Sequence, residues 1–271
     1  MIPLLQPKFK LAIRVIPILL VIGSLKMAAH YYGLEFLSLN TIFTALISAN
    51  IFLISFNISG VLADFKEGEK LPAEMASCIE AIADECAYIY KSKGAQAGRA
   101  GFIYCMDLTS QTLEWLYRKA RTKTIMAMIA GFTDQFLAME PYSQTSFLSR
   151  LKHEQSEVRK TALRIHYIRE THFSEAAYAI AEIITFMLTA GMIFLNLDPY
   201  YESFFFTLFV SFILIYMLML IRDLDDPFAY YDKKHSIEEV SLHSLETLKT
   251  RLADRCKEMD IIPPAIDANV Q

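Results

Sequence analysis

Apolar residues run in four long blocks, separated by short polar links and one long polar stretch. The first block covers about Leu11 to His30 and the second about Phe36 to Leu62, with only HYYGLE between them. The third covers about Ala176 to Leu195 and the fourth about Phe204 to Ile221, joined by NLDPYYES with its Pro199. Each is near the ~20 residues that span a hydrocarbon core. Two transmembrane hairpins are therefore predicted. Between them lie more than a hundred residues rich in charge. Within that stretch, EMASCIEAIADECAYIY and SRLKHEQSEVRKTALRIHYI carry the 3.6-residue apolar period of amphipathic helices. No strand-like alternation of any length is present. The expected architecture is all-α, four membrane helices in two hairpins plus a cytoplasmic helical domain. Its expected boundaries are residues 1–62, 63–175, 176–221 and 222–271.

Composition agrees with a membrane chain. Hydrophobic residues make up 54% of 271 positions, and mean hydropathy is +0.30. Lys and Arg are absent from both links and from the whole span between Arg169 and Arg222. The positive-inside rule then puts both links outside and both termini in the cytoplasm of a multi-pass protein of the inner (plasma) membrane. No cleavable leader is expected from MIPLLQPKFK. Net charge is −4, which gives no footing for a nucleic-acid partner. Cys78, Cys86, Cys105 and Cys256 have no zinc-ligand spacing and read as reduced thiols. No phosphate loop, nucleophile elbow or HExxH motif is present, and no enzyme activity is expected.

The second block is unusual for a helix facing lipid alone. On a helical wheel Thr41, Thr44, Ser48, Phe52, Ser55 and Ser59 fall within an arc of about 80°, while Asn50 and Asn57 fall opposite. Phe56 stands one turn beyond Phe52 on the ring side. Such a stripe is explained by close helix packing or by water. In the first case the hydroxyls are packing groups and Phe52 is core. In the second the hydroxyls wet a pore, and Phe52 and Phe56 form an apolar collar that gates by dewetting. One stripe per chain cannot enclose a pore; a ring of identical chains can. The two asparagines are expected to hydrogen-bond to neighbouring helices. Glu182 is an intramembrane carboxylate, with His172 and Glu175 just before the third block. It reads either as a group tuning pH response or ion preference, or as the partner of Lys26.

The stretch SANIFLISFNISGVLADFKEGEKLP resembles the second transmembrane helix of the bestrophins. In that family three neck positions recur every fourth residue, and here they match Ser48, Phe52 and Phe56. A second segment, LIRDLDDPFAYYDKKHSIEEVSLHSLETLKTRL, resembles the bestrophin segment after the last membrane helix. The resemblance spans about Leu11 to Leu252 and implies a homopentameric channel for monovalent ions. Chloride is the first expectation and sodium a close second. It also implies a lower cytoplasmic aperture, which spacing puts near Thr145, and a calcium candidate at Asp225, Asp226 and Asp232. No other cofactor is implied. Two features depart from the family pattern. Ser48 replaces an apolar neck residue, and THFSEAAY stands where a Pro-x-Pro turn is usual. Rings presented edge-on favour anions and rings presented face-on favour cations, so the sequence leaves the ion open. Glu35, Asp198 and Glu202 lean toward cations. The alternative is a non-conducting scaffold or sensor whose cytoplasmic helices bind a partner.

Overall fold

The first apolar block forms α1 (Lys10–Tyr31), which buries Leu11, Val15, Ile22, Lys26 and Ala29 along one face. Gly33, at φ +64°, ends it. The left-handed turn lets Leu34 N–H reach the carbonyl of Ala29 at 2.8 Å, a geometry glycine adopts without a Cβ penalty. Residues 9–171, 175–230 and 239–259 are described in this computed structural model. Among them the chain continues through α2 (Thr41–Gly68), α3 (Leu71–Lys93), α4 (Gln96–Leu116), α5 (Thr122–Met139), α6 (Thr145–Glu170), α7 (Glu175–Ile193), α8 (Tyr200–Leu224) and α9 (His243–Glu258).

Helix α2 starts five residues later than the hydropathy pattern predicts. Asn40 accounts for the shift: its Oδ1 accepts the Phe43 N–H at 2.8 Å, an N-cap that fixes the first turn. Helix α8 starts four residues earlier than predicted, because Pro199 takes the N-cap position in an extended conformation. Among the described residues, those before α2 and α8 hold the one departure from an all-helical reading. Leu37–Ser38 (β1) pairs in parallel with Leu195–Asn196 (β2), a ladder too short to leave a periodic signal.

Two compact units result. The first contains α1, β1, α2 as far as Phe65, α7, β2 and α8. Its core joins Ile54, Val61 and Phe65 of α2 to Ala181 and Leu188 of α7 and to Leu214 and Ile221 of α8. α1, α2, α7 and α8 are each long and apolar enough to cross a membrane. At 1.5 Å per residue, the 28 residues of α2 reach about 42 Å, more than a ~30 Å hydrocarbon core requires.

The second unit contains the last residues of α2 with α3, α4, α5, α6 and α9. Met75, Ile79, Phe102, Leu108, Ile129, Phe132, Val158 and Leu248 are fully buried in its core. Two glycines let α4 approach α3. A Cβ on Gly98 would stand 2.6 Å from the Cys86 carbonyl oxygen, and one on Gly101 would stand 2.8 Å from Cys86 Sγ. Helix α9 docks by Leu245, Leu248 and Leu252. Its flank carries Arg251 paired with Glu80 and Arg255 paired with Asp84, each at 2.6 Å. All four cysteines are free thiols.

Candidate pore-lining helix

Helix α2 divides into two faces. Thr41, Thr44, Ser48, Ser55 and Ser59 are exposed in the single chain, and so are Phe52 at 74% and Phe56 at 62%. Three hydroxyls on this face satisfy their donors within the helix. Thr44 Oγ1 donates to the Asn40 carbonyl at 3.2 Å, Ser48 Oγ to Thr44 at 3.0 Å and Ser55 Oγ to Ile51 at 2.8 Å. Back-bonding of this kind keeps a hydroxyl tolerable in an apolar helix while its lone pairs stay available outward.

The opposite face is closed. Asn50 and Asn57 are fully buried. Asn50 Nδ2 donates to Thr185 Oγ1 at 2.9 Å, and Asn57 Nδ2 to the Ala177 carbonyl at 3.3 Å. Both bonds run to α7 and fix how α2 rotates against it. The two Asn Oδ1 atoms have no partner among the described residues. The rotation set by the asparagines and by Ile54 and Val61 leaves Ser48, Phe52 and Phe56 facing out of the chain.

The intramembrane charges pair differently from the sequence expectation. Lys26 does not meet Glu182. Its Nζ is fully buried, lies 2.6 Å from Glu35 Oε1 and donates to the Leu195 carbonyl. Lys26 lies in the last turns of α1, and the Gly33 turn brings Glu35 back over it. Glu35 Oε2 also takes a 2.9 Å hydrogen bond from His30 Nδ1, and the His30 ring stacks on Tyr200 at 3.8 Å. Burial pushes the Glu35 carboxyl up, but hydrogen bonds and charge from His30 and Lys26 outweigh it and hold the group below its ordinary value. Glu182, seven residues into α7, pairs instead with Arg222 in the last turn of α8.

Comparison of the whole fold with solved structures is decisive for the architecture. A crystal structure of a bacterial bestrophin homologue from Klebsiella pneumoniae superposes with a TM-score of 0.74 at 15% identity, over 89% of this chain and 98% of that one. A second crystal structure of the Klebsiella homologue gives a TM-score of 0.75 at 14% identity, over 89% and 100%. The chain has the bestrophin fold. A further match, described as a membrane protein, covers 93% of this chain at a TM-score of 0.72 and 14% identity. No family model and no curated protein matches the sequence. With four spanning helices in the bestrophin arrangement, this is a membrane protein.

The remaining bestrophin-like positions are less concentrated. Thr145 is the first residue of α6 and is exposed. Asp225 caps the end of α8, its N–H bonded to the Ile221 carbonyl at 3.1 Å, and Asp226 follows directly. Asp232 and His172 lie outside the described residues. Among the described residues no three acidic, His or Cys side chains gather as metal ligands, whereas calcium takes six to eight oxygens. The pairing of buried Lys26 with Glu35, which also holds the exposed His30 ring, was missed in sequence. The available signal was Lys26 itself, a charge in an apolar helix four residues before a histidine and nine before a carboxylate.

Proposed function

We propose that copies of this chain, five as in the bestrophin expectation, surround a central pore that passes monovalent ions across the inner membrane. Chloride is the first ion to test and sodium the second. The observation that supports this is the two-faced packing of α2. The asparagine face is consumed inside the chain, while the hydroxyl and ring face is left open along the helix. In this reading Ser48, Phe52 and Phe56 form the neck. Thr41, Thr44 and Ser59 keep the lumen wet on either side of the rings and Ser55 wets the turn between them, while the rings gate by controlling wetting. Ser48 removes one apolar ring from the collar and shortens the dry segment. Thr145 is assigned to a lower aperture, and both termini to the cytoplasm. Glu182, held by Arg222, tunes ion preference through the charge of that pair.

Reversal potential of purified protein in a planar bilayer, under a tenfold salt gradient, tests the reading. Wild type should show a selective current. Phe52→Ala should raise unitary conductance several-fold and pull the reversal potential toward zero. Absence of current from a correctly assembled oligomer, or a Phe52→Ala and Phe56→Ala variant indistinguishable from wild type, would refute it.

A further inference from the structure

The loop that joins α4 to α5 is strongly basic and plays no part in the pore reading. Residues 117–123 read YRKARTK, and Arg118, Lys119, Arg121 and Lys123 are all exposed. With Glu114 one turn earlier, the segment still carries a net charge of +3. Among the described residues Lys119, Arg121 and Lys123 enter no ion pair. Arg118 ends α4 at φ +58°, a left-handed turn in which glycine costs least. A charge is kept there despite the strain. The loop is also fixed in place. Trp115 Nε1 donates to Thr122 Oγ1 at 3.0 Å across its base, and Arg169, near the end of α6, donates to the Trp115 carbonyl at 3.2 Å. Two chain paths give the depth of that end of the second unit. The spanning helix α7 begins six residues after Arg169. On α2 the first charge after the apolar run is Asp64. Glu67, about 4.5 Å further along the axis at 1.5 Å per residue, holds Arg164 of α6 through both carboxylate oxygens. Headgroups occupy about 5–7 Å beyond each face of a ~30 Å core, so this pair stands at headgroup level, and α6 runs from it through Arg169 toward α7.

We propose that the α4–α5 loop docks on anionic phospholipid headgroups of the membrane that the chain spans. In the topology proposed above these belong to the inner leaflet, and the proposal rests on that topology only for the name of the leaflet. Depth decides the partner, since a loop at headgroup level meets a phosphate layer wherever the protein is inserted. Surface charge is felt only within a screening length of about 8–10 Å, and the other end of the second unit, at the Gly94 turn, is a full helix away along α3. Arginine forks bind phosphate in pairs and lysines act as point charges. Each basic side chain near an anionic surface strengthens attachment about fivefold. The loop also opens α5, whose N-cap Arg121 makes no side-chain cap bond, so the positive end of that helix adds to the same attraction. Docking pins the loop and, through Trp115 and Arg169, the end of α6 that leads into α7.

Hydrogen–deuterium exchange of the full chain, in nanodiscs of phosphatidylglycerol and of phosphatidylcholine, tests this. Nanodiscs expose both leaflets and no current is read, so the outcome does not depend on which way the chain faces or on whether it conducts. Amides of residues 117–123 should exchange about fivefold more slowly, or slower still, in phosphatidylglycerol. The turn at Gly94 should exchange alike in both. About 1 M salt, where the screening length falls to about 3 Å, should remove the difference. So should Lys119→Gln/Arg121→Gln/Lys123→Gln, whose exposed sites leave the fold intact. Inorganic phosphate added to phosphatidylcholine discs should not reproduce the slowing, which separates a headgroup surface from a free anion. Equal exchange of the loop in the two lipids, a slowing that inorganic phosphate reproduces, or a slowing that survives in the triple variant overturns the proposal.

Discussion

Replacing Glu35 by Gln isolates the cost of the buried Lys26 charge. In the native chain Lys26 Nζ has the Glu35 carboxylate at 2.6 Å and the Leu195 carbonyl as partners, with no exposed surface. Breaking a buried pair by neutralising one member costs about 3–5 kcal/mol, because the other charge stays desolvated. A Gln oxygen at the same place still accepts a hydrogen bond from the ammonium, returning about 1.5 kcal/mol. A loss of about 1.5–3.5 kcal/mol remains, or about 3–14 °C in melting temperature at 2–4 °C per kcal/mol. Removing the charge itself should cost far less. In Lys26→Met the Leu195 carbonyl keeps the Ser203 hydroxyl at 3.0 Å, and Glu35 keeps His30. The double variant Lys26→Met/Glu35→Gln should therefore melt above Glu35→Gln alone, a coupling of about 2 kcal/mol. The pH arm has a fixed sign. The Glu35 carboxyl is held below its ordinary value in the fold, so its contribution is present above that value and is lost as pH falls through the folded value. Wild type and Glu35→Gln should converge in acid. Thermal unfolding in detergent, followed by circular dichroism at pH 7 and pH 3.5, reads all of this. A Glu35→Gln variant melting within 2 °C of wild type at pH 7, or a double variant melting below it, would refute the reasoning.

Asn50→Leu keeps the branched shape at a somewhat larger size but leaves the Thr185 hydroxyl without its partner, at a cost of about 1–2 kcal/mol. The same thermal assay should show a fall of a few degrees, and Asn50→Leu/Thr185→Val should recover most of it. Gly98→Ala forces a methyl against the Cys86 carbonyl oxygen at 2.6 Å and the Tyr90 nitrogen at 2.7 Å. Both are backbone, so the helices must separate, and a loss of about 1–3 kcal/mol is expected; unchanged melting would show that α3 and α4 are less tightly held than the distances imply. For the acidic stretch after α8, adding 1 mM calcium after chelation should leave the melting temperature where it was. A rise of several degrees that disappears in Asp226→Asn would make it a calcium site.

Polar residues carried most of what the sequence revealed. In a helix built of Leu, Ile and Phe, a hydroxyl or an amide is costly unless something meets it. Angular position therefore reports what each side faces. Asn50 and Asn57, seven residues apart, had to point at another helix, and they do. The hydroxyls and rings on the other side had to point elsewhere, and that side is open. Charge pairing was less legible because it depends on the path of a link rather than on periodicity. In sequence Glu182 is an intramembrane carboxylate available to a Lys26 charge that needs a partner, yet Gly33 ends α1 and folds Glu35 onto the lysine. Glu182 is thereby left to Arg222. Helix ends moved for the same local reason, since one side-chain bond from Asn40 or one proline at 199 outweighs several apolar residues that would otherwise extend the run. The second unit was readable as amphipathic helices but not in its packing. The close approach of α4 to α3 rests on Gly98 and Gly101, and a glycine in a helical pattern looks the same whether it faces solvent or another backbone 2.6 Å from where its Cβ would be. Periodicity names the face a residue is on; only the path of the chain names what that face meets.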